Sequence, residues 1–148
     1  MNVLKFCPKD PFLLPDEKQQ AAAVDLIVKA FPEREIFDGT SPLPQFVDCG
    51  DSLEGVYCPF CKKELDSEDW ACLMDSLYSE EGFSSLEVTL PCCGKNTGLD
   101  RLIYKEPCAF SCFEIDVTDA GPSQMPKDLL KRLSEATGIE FTVVTAHI

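Results

Sequence analysis

The chain has one histidine, one tryptophan and three methionines, and only 13 basic residues against 26 acidic ones. It also lacks low-complexity tracts and any apolar run near the roughly 20 residues a membrane-spanning helix needs. Each shortage removes a class of function. With His147 as the only histidine, a Ser-His or Cys-His hydrolytic mechanism would have to run through one residue beside the last position of the chain. A polar residue on an edge strand is the simpler reading there. A nucleic-acid binder presents a basic face, because phosphate neutralisation supplies most of its affinity; here the acidic excess disfavours that class. No Gly-rich phosphate loop, G-x-S-x-G elbow or H-E-x-x-H helix is present, so an enzyme is not supported. Met1 to Leu14 carries Lys5, Lys9, Asp10 and two prolines where a signal peptide would have its apolar run. A cytoplasmic protein with no membrane partner is the expectation.

What is present describes a folded globule. The 148 residues are 45% hydrophobic, with ten phenylalanines, enough for one domain with an insertion and too few for two large ones. The net charge of -13 is spread evenly, at -5, -4 and -4 over residues 1–55, 56–105 and 106–148. Such a field keeps a protein soluble. It also attracts and steers another protein that has a basic surface.

Both ends of the chain carry a β-α-β pattern. Val3 to Phe6 is strand-like; Asp16 caps a helix with Val24, Ile27, Val28 and Phe31 at helical spacing; Pro32 ends it, and Arg34 to Phe37 returns as a strand. Asp38-Gly39-Thr40-Ser41-Pro42 has turn chemistry. Near the other end Phe113 to Val117 is a strand, and Pro126 opens a helix with Leu129, Leu130, Leu133 and Ala136. Gly138 caps that helix, and Glu140 to Ala146 is the last strand. Two such units can build an α+β fold, a four-stranded ferredoxin-like antiparallel sheet with both helices on one face. Residues 1–44 and 106–148 are its two halves, and residues 45–105 form an inserted subdomain. Strands are expected in the insert at Gly55 to Tyr57, Leu86 to Leu90 and Leu99 to Tyr104. A helix is expected over Ser67 to Tyr78, capped by Asp66 or Ser67, with Trp70, Leu73, Met74 and Leu77 as its apolar stripe.

The cysteines carry the strongest signal. Nine thiols in a reducing compartment mean metal more often than disulfide when they fall in close pairs. Cys58-Pro59-Phe60-Cys61 is a C-x-x-C whose sulfurs converge in a tight turn, and thirty residues later comes Pro91-Cys92-Cys93-Gly94. Two such turns facing each other would make a tetrahedral sulfur site. Adjacent residues in a strand point to opposite faces, so Cys92 and Cys93 can share an ion only if the backbone turns sharply between them. Cys49, Cys108, Cys112 and His147 are competing fourth ligands.

These two motifs resemble the knuckles of a zinc ribbon. The resemblance covers about a third of the chain and departs from the pattern twice: Lys62 stands where a glycine is usual, and Leu90 where the third cysteine would be. The chain as a whole, with its Cys-Pro-x-Cys and Pro-Cys-Cys-Gly pair and its Ala146-His147-Ile148 end, is similar to small uncharacterised bacterial proteins. The resemblance implies a structural metal at Cys58, Cys61, Cys92 and Cys93. Zinc is the expected ion; a rubredoxin-like iron site uses the same four ligands but normally two complete C-x-x-C knuckles. A closed four-thiolate shell leaves no position for a catalytic water.

The remaining cysteines, Cys7, Cys49 and Cys72, read as small buried residues, and Cys108 and Cys112 as a weak redox pair lacking an activating helix N-terminus. The leading function is an acidic protein-interaction module (adaptor, inhibitor or immunity-type) stapled by zinc. The alternative is an enzyme with an open site of three cysteines, Cys58, Cys61 and Cys93, and a metal-bound water. Nucleic-acid binding would require Lys62, Lys63, Lys95, Arg101 and Lys105 to share one face.

Overall fold

Alternating apolar residues at both ends, and short turn-rich stretches between them, divide the chain into long and short elements. The computed structural model describes residues 1–51 and 53–148. The order is β1 (Asn2–Pro8), α1 (Glu17–Ala30) and β2 (Ile36–Val47). A central run of short elements follows: β3 (Val56–Tyr57), α2 (Ser67–Leu77), β4 (Tyr78–Ser79), β5 (Gly82–Phe83), β6 (Glu87–Thr89), β7 (Asn96–Gly98) and β8 (Ile103–Tyr104). The chain closes with β9 (Ala109–Thr118), α3 (Leu129–Thr137) and β10 (Phe141–His147).

The four long strands pair antiparallel in the order β10-β1-β9-β2, so the molecule is a mixed α+β protein. Leu4 and Phe6 of β1, Phe113, Ile115 and Val117 of β9 and Phe141 of β10 point to one face. There they meet Ala23, Ile27 and Phe31 from α1 and its cap, and Leu129 and Leu133 of α3. The two helices therefore cover a single face, tied to each other by Gln19 Nε2 donating to the Thr137 carbonyl at 3.0 Å.

Local chemistry sets the helix ends. Asp16 Oδ1 accepts the Gln19 amide at 2.8 Å while Gln19 Oε1 accepts the Asp16 amide at 2.9 Å, a reciprocal capping box. Gly138 ends α3 at φ +75°, the left-handed conformation that glycine adopts without a Cβ penalty. Two expectations for α1 and α3 need correcting. Val28 lies 45% exposed instead of on the buried stripe, and α3 begins at Leu129 rather than near Pro126.

The stretch expected to turn at residues 38–42 is strand. β2 keeps pairing with β9 on both sides of a register shift between Thr40 and Gln45. Pro42 and Pro44 have no N–H to give to a ladder, so the extra residues are expelled as a bulge and pairing resumes beyond them. Beyond Val47 the chain leaves the ladder and reaches the sheet's far edge. His147 N–H donates to the Cys49 carbonyl at 3.1 Å and Asp51 N–H to the His147 carbonyl at 2.7 Å, although β2 and β10 lie at opposite edges. Gly50 allows this approach with φ +65°; a Cβ there would collide with the His147 carbonyl. In the same stretch, Lys5 is 8% exposed and donates to the Asp48 carbonyl at 2.9 Å.

The central elements gather around a second core of Val56, Leu65, Phe83, Leu86, Leu90 and Leu99. Asp66 caps α2 through the Glu68 amide at 2.8 Å, and Trp70, Leu73, Met74 and Leu77 are half-buried against that core. The sheet reaches into it: Phe46 of β2 stacks near Phe110 of β9 at 5.1 Å, Trp70 at 5.7 Å and Tyr104 at 6.3 Å. Leu99–Arg101 is a 3-10 turn, so only Ile103–Tyr104 of the strand expected from Leu99 to Tyr104 forms. The pairings β4 with β5 and β6 with β7 involve two or three residues each, too few for a periodic signal.

Candidate metal centre

The sulfurs of Cys58, Cys61, Cys92 and Cys93 all lie within 4.8 Å of one another, an arrangement compatible with a metal site. Two turns bring them together, and the turns share one hydrogen-bond pattern. In the first, Cys58 N–H donates to the Lys63 carbonyl at 2.9 Å and Lys62 N–H to the Cys58 carbonyl at 3.1 Å. In the second, Leu90 N–H donates to the Lys95 carbonyl at 2.9 Å and Gly94 N–H to the Leu90 carbonyl at 2.8 Å. Position by position, Cys58 corresponds to Leu90, Pro59 to Pro91, Phe60 to Cys92, Cys61 to Cys93 and Lys62 to Gly94.

That correspondence explains both departures from the expected pattern. Lys62 adopts φ +65° where Gly94 has +72°, so the lysine carries a left-handed conformation that glycine holds at lower cost; its Nζ reaches back to the Pro59 carbonyl at 2.8 Å. Leu90 takes the inward first position and is fully buried, as is Cys58. The missing sulfur returns two residues later, on Cys92. Pro91-Cys92-Cys93 is a turn and not a strand, so neighbouring side chains converge on one side.

The sulfur–sulfur distances are 3.7 Å for Cys58 to Cys93 and 3.6 Å for Cys61 to Cys92. A tetrahedron with zinc–sulfur bonds of about 2.3 Å has edges of about 3.8 Å. Two of the six sulfur–sulfur distances therefore match the edge of a tetrathiolate shell, and the rest lie within 4.8 Å. Cys58 is buried while Cys61, Cys92 and Cys93 are exposed, which places the centre at the rim of the second core. Cys58 Sγ accepts the Phe60 amide at 3.3 Å and the Cys61 amide at 3.4 Å. Burial opposes ionisation of Cys58, but these amides and the neighbouring thiols outweigh it and lower the group to about 6. Desolvation and hydrogen bonds to the other sulfurs push Cys92 up to about 12.

The other candidate ligands lie elsewhere. Cys112 Sγ faces the Pro11 carbonyl at 3.5 Å, and His147 ends β10 beside Gly50. Cys108 pairs with Cys49, sulfur to sulfur at 3.4 Å, and not with Cys112. That pair was hidden in the sequence by 59 residues of separation. Cys7 and Cys49 are buried as expected, but Cys72 is exposed on α2. Among the basic residues near the knuckles, Arg101 is bridged to Glu87 at 2.9 Å and Lys105 to Glu54 at 2.8 Å. Lys95 sits over the Phe60 ring at 5.1 Å.

A second polar feature occupies the helix-free face of the sheet. Glu114 and Asp116 line a cavity of about 310 Å³ with Phe37, Thr40 and Gln45. Burial, then the adjacent Asp116 carboxylate, push Glu114 up to about 8, with Lys5 opposing. Asp116 Oδ1 is buried without a hydrogen-bond partner.

No protein-family model, curated protein or solved structure matches the chain. No helix among the described residues is long and apolar enough to cross a membrane.

Proposed function

We propose that Cys58, Cys61, Cys92 and Cys93 bind one zinc ion in a closed, structural, zinc-ribbon-like site, and that the protein is a non-catalytic module whose acidic surface engages a protein with a basic one. The observation that carries the metal reading is the match between the sulfur spacing and the edge of a zinc tetrathiolate. Cys92 decides between a closed and an open shell. With its sulfur 3.6 Å from that of Cys61, it occupies the place a catalytic water would need in a three-cysteine site, so the closed reading is favoured. Four soft thiolates select zinc or iron over magnesium or calcium, and an incomplete second C-x-x-C argues for zinc.

The interaction role rests on the net charge of -13 and on carboxylates neutralising Arg101 and Lys105, which weakens any basic face for nucleic acid. The strand order β10-β1-β9-β2 with α1 and α3 on one face supports a ferredoxin-like outer domain formed by residues 1–44 and 106–148. The segment 45–105 is then its insertion, and a cytoplasmic setting keeps the thiols reduced for metal.

Metal analysis of protein purified without added metal, together with X-ray absorption at the metal edge, tests the site. One zinc per chain with four sulfurs at about 2.3 Å is expected; a shell of three sulfurs and one oxygen or nitrogen would move the reading to the open-site enzyme. Pull-downs at low and high salt test the module: a partner captured only at low salt supports it, and no partner at either salt counts against it.

A further inference from the structure

We infer that Cys49 and Cys108 are a dithiol latch at the neck of the central segment, closed to a disulfide by exchange with a low-molecular-weight disulfide. The inference does not depend on the metal reading. Cys49 is the last cysteine before the short elements β3 to β8, and Cys108 is the first after them. Between them lie residues 50–107, including all four clustered cysteines.

The geometry is close to bonding. The two sulfurs stand 3.4 Å apart, shorter than the 3.6 Å and 3.7 Å contacts inside the metal cluster. Closing to a bond length of about 2.05 Å requires a movement of about 1.4 Å. No third or fourth sulfur completes a shell around this pair, since the only metal-sized cluster among the described residues is the one at the knuckles. The flanking backbone is already fixed: Val47 pairs with Ala109, and Cys49 accepts the His147 amide through its carbonyl. Both thiols also point at the Glu106 carbonyl, Cys108 at 3.4 Å and Cys49 at 4.0 Å.

Cys49 is buried and Cys108 is half-buried, which orders the chemistry. The Cys108 thiolate attacks one sulfur of a small disulfide, expelling one small thiolate and leaving a mixed disulfide on Cys108. The Cys49 thiolate then attacks the Cys108 sulfur and expels the second. Two protein thiols lose two electrons and two protons, and the small disulfide gains them as two thiols. Burial, the hydrogen bond to Cys49 and the negative charge of Cys49 and Asp48 push Cys108 up to about 12. The exchange is therefore slow, and the latch sets over minutes to hours.

Closure removes open conformations of a 60-residue loop whose ends already touch in the folded chain. The experiment treats the reduced full chain with oxidised glutathione at mildly alkaline pH, then quenches with an alkylating agent. Non-reducing peptide mapping and thermal melts follow. A Cys49–Cys108 cross-link should be the main product, raising the melting temperature by about 5–15 °C and reverting with reductant. Cys108→Ser should abolish both the cross-link and the rise while leaving the reduced melt nearly unchanged. A persistent glutathione adduct on Cys108, cross-links confined to Cys58, Cys61, Cys92 and Cys93, or a cross-link with no change in melting would each overturn the latch. Cys49→Ala gives an independent control, and Cys108→Ser decides alone if the buried variant does not fold.

Discussion

The sheet with its helix layer and the central segment solve the same problem with different means. In the sheet, strands of 7 to 12 residues share long ladders, and α1 and α3 close a core whose large side chains are almost wholly buried. In the central segment the strands have two or three residues, and α2 has no fully buried side chain. Its core needs Phe110, and Phe46 beside it, from the sheet's own strands. Apolar burial is enough for the first region. The second has shorter ladders and less enclosed surface, and on the proposed metal reading an ion bound across its two turns would supply a further constraint.

That contrast can be broken most sharply at the metal. Chelation, or Cys58→Ser, should unfold residues of the central segment while the sheet keeps its structure, since metal binding in small zinc modules contributes on the order of 10 kcal/mol to folding. Amide exchange resolved by segment measures this, and equal protection of both regions before and after chelation would remove the distinction. The reverse experiment is Phe113→Ala, at a side chain 1% exposed in the sheet core. It should cost about 3–5 kcal/mol in denaturant unfolding and melt the whole chain, with the metal unable to hold the remainder.

The smallest effect is a pH effect confined to the sheet. Glu114 is raised to about 8 from an ordinary value of 4.5, so the folded chain holds its proton more tightly than the unfolded one. The stability it contributes is full below its ordinary range and is lost as pH rises toward 8. Glu114→Gln keeps the neutral form throughout. It should flatten the decline in stability between about pH 5 and 8 and leave the chain more stable than the parent at the upper end. A variant with the same slope as the parent would assign the decline to other groups.

The sheet was the more legible region because long elements leave periodic traces. Leu129 and Leu133 fall at helical spacing, Asp16 and Gly138 mark helix ends, and both helices appear where those residues place them. Residues 38–42, which pair as strand and run into the bulge, read as a turn because proline and glycine signal a break in pairing without saying whether it resumes. The short pairings of the central segment fell below any periodicity, and Cys72 was placed inside because the stripe through Trp70 and Leu73 was taken to include its neighbour. The four cysteines that cluster could be named from two motifs, whereas Cys49 and Cys108 could not be paired at all. Spacing reports sulfurs that share a turn and is blind to sulfurs that the fold brings together.

The equivalence of the two knuckles has a kinetic consequence. With cysteine at both inward positions, a metal would sit deeper, between Cys58 and the site that Leu90 fills. With the sulfur on Cys92 instead, Leu90 belongs wholly to the apolar core, and an ion bound as proposed would lie further outward, on three exposed ligands. An ion so placed would be held by four thiolates yet stay open to attack by competing ligands from solvent. It should exchange faster than one sealed behind the core, and the rate of zinc transfer to a small chelator becomes a direct reading of that outward shift.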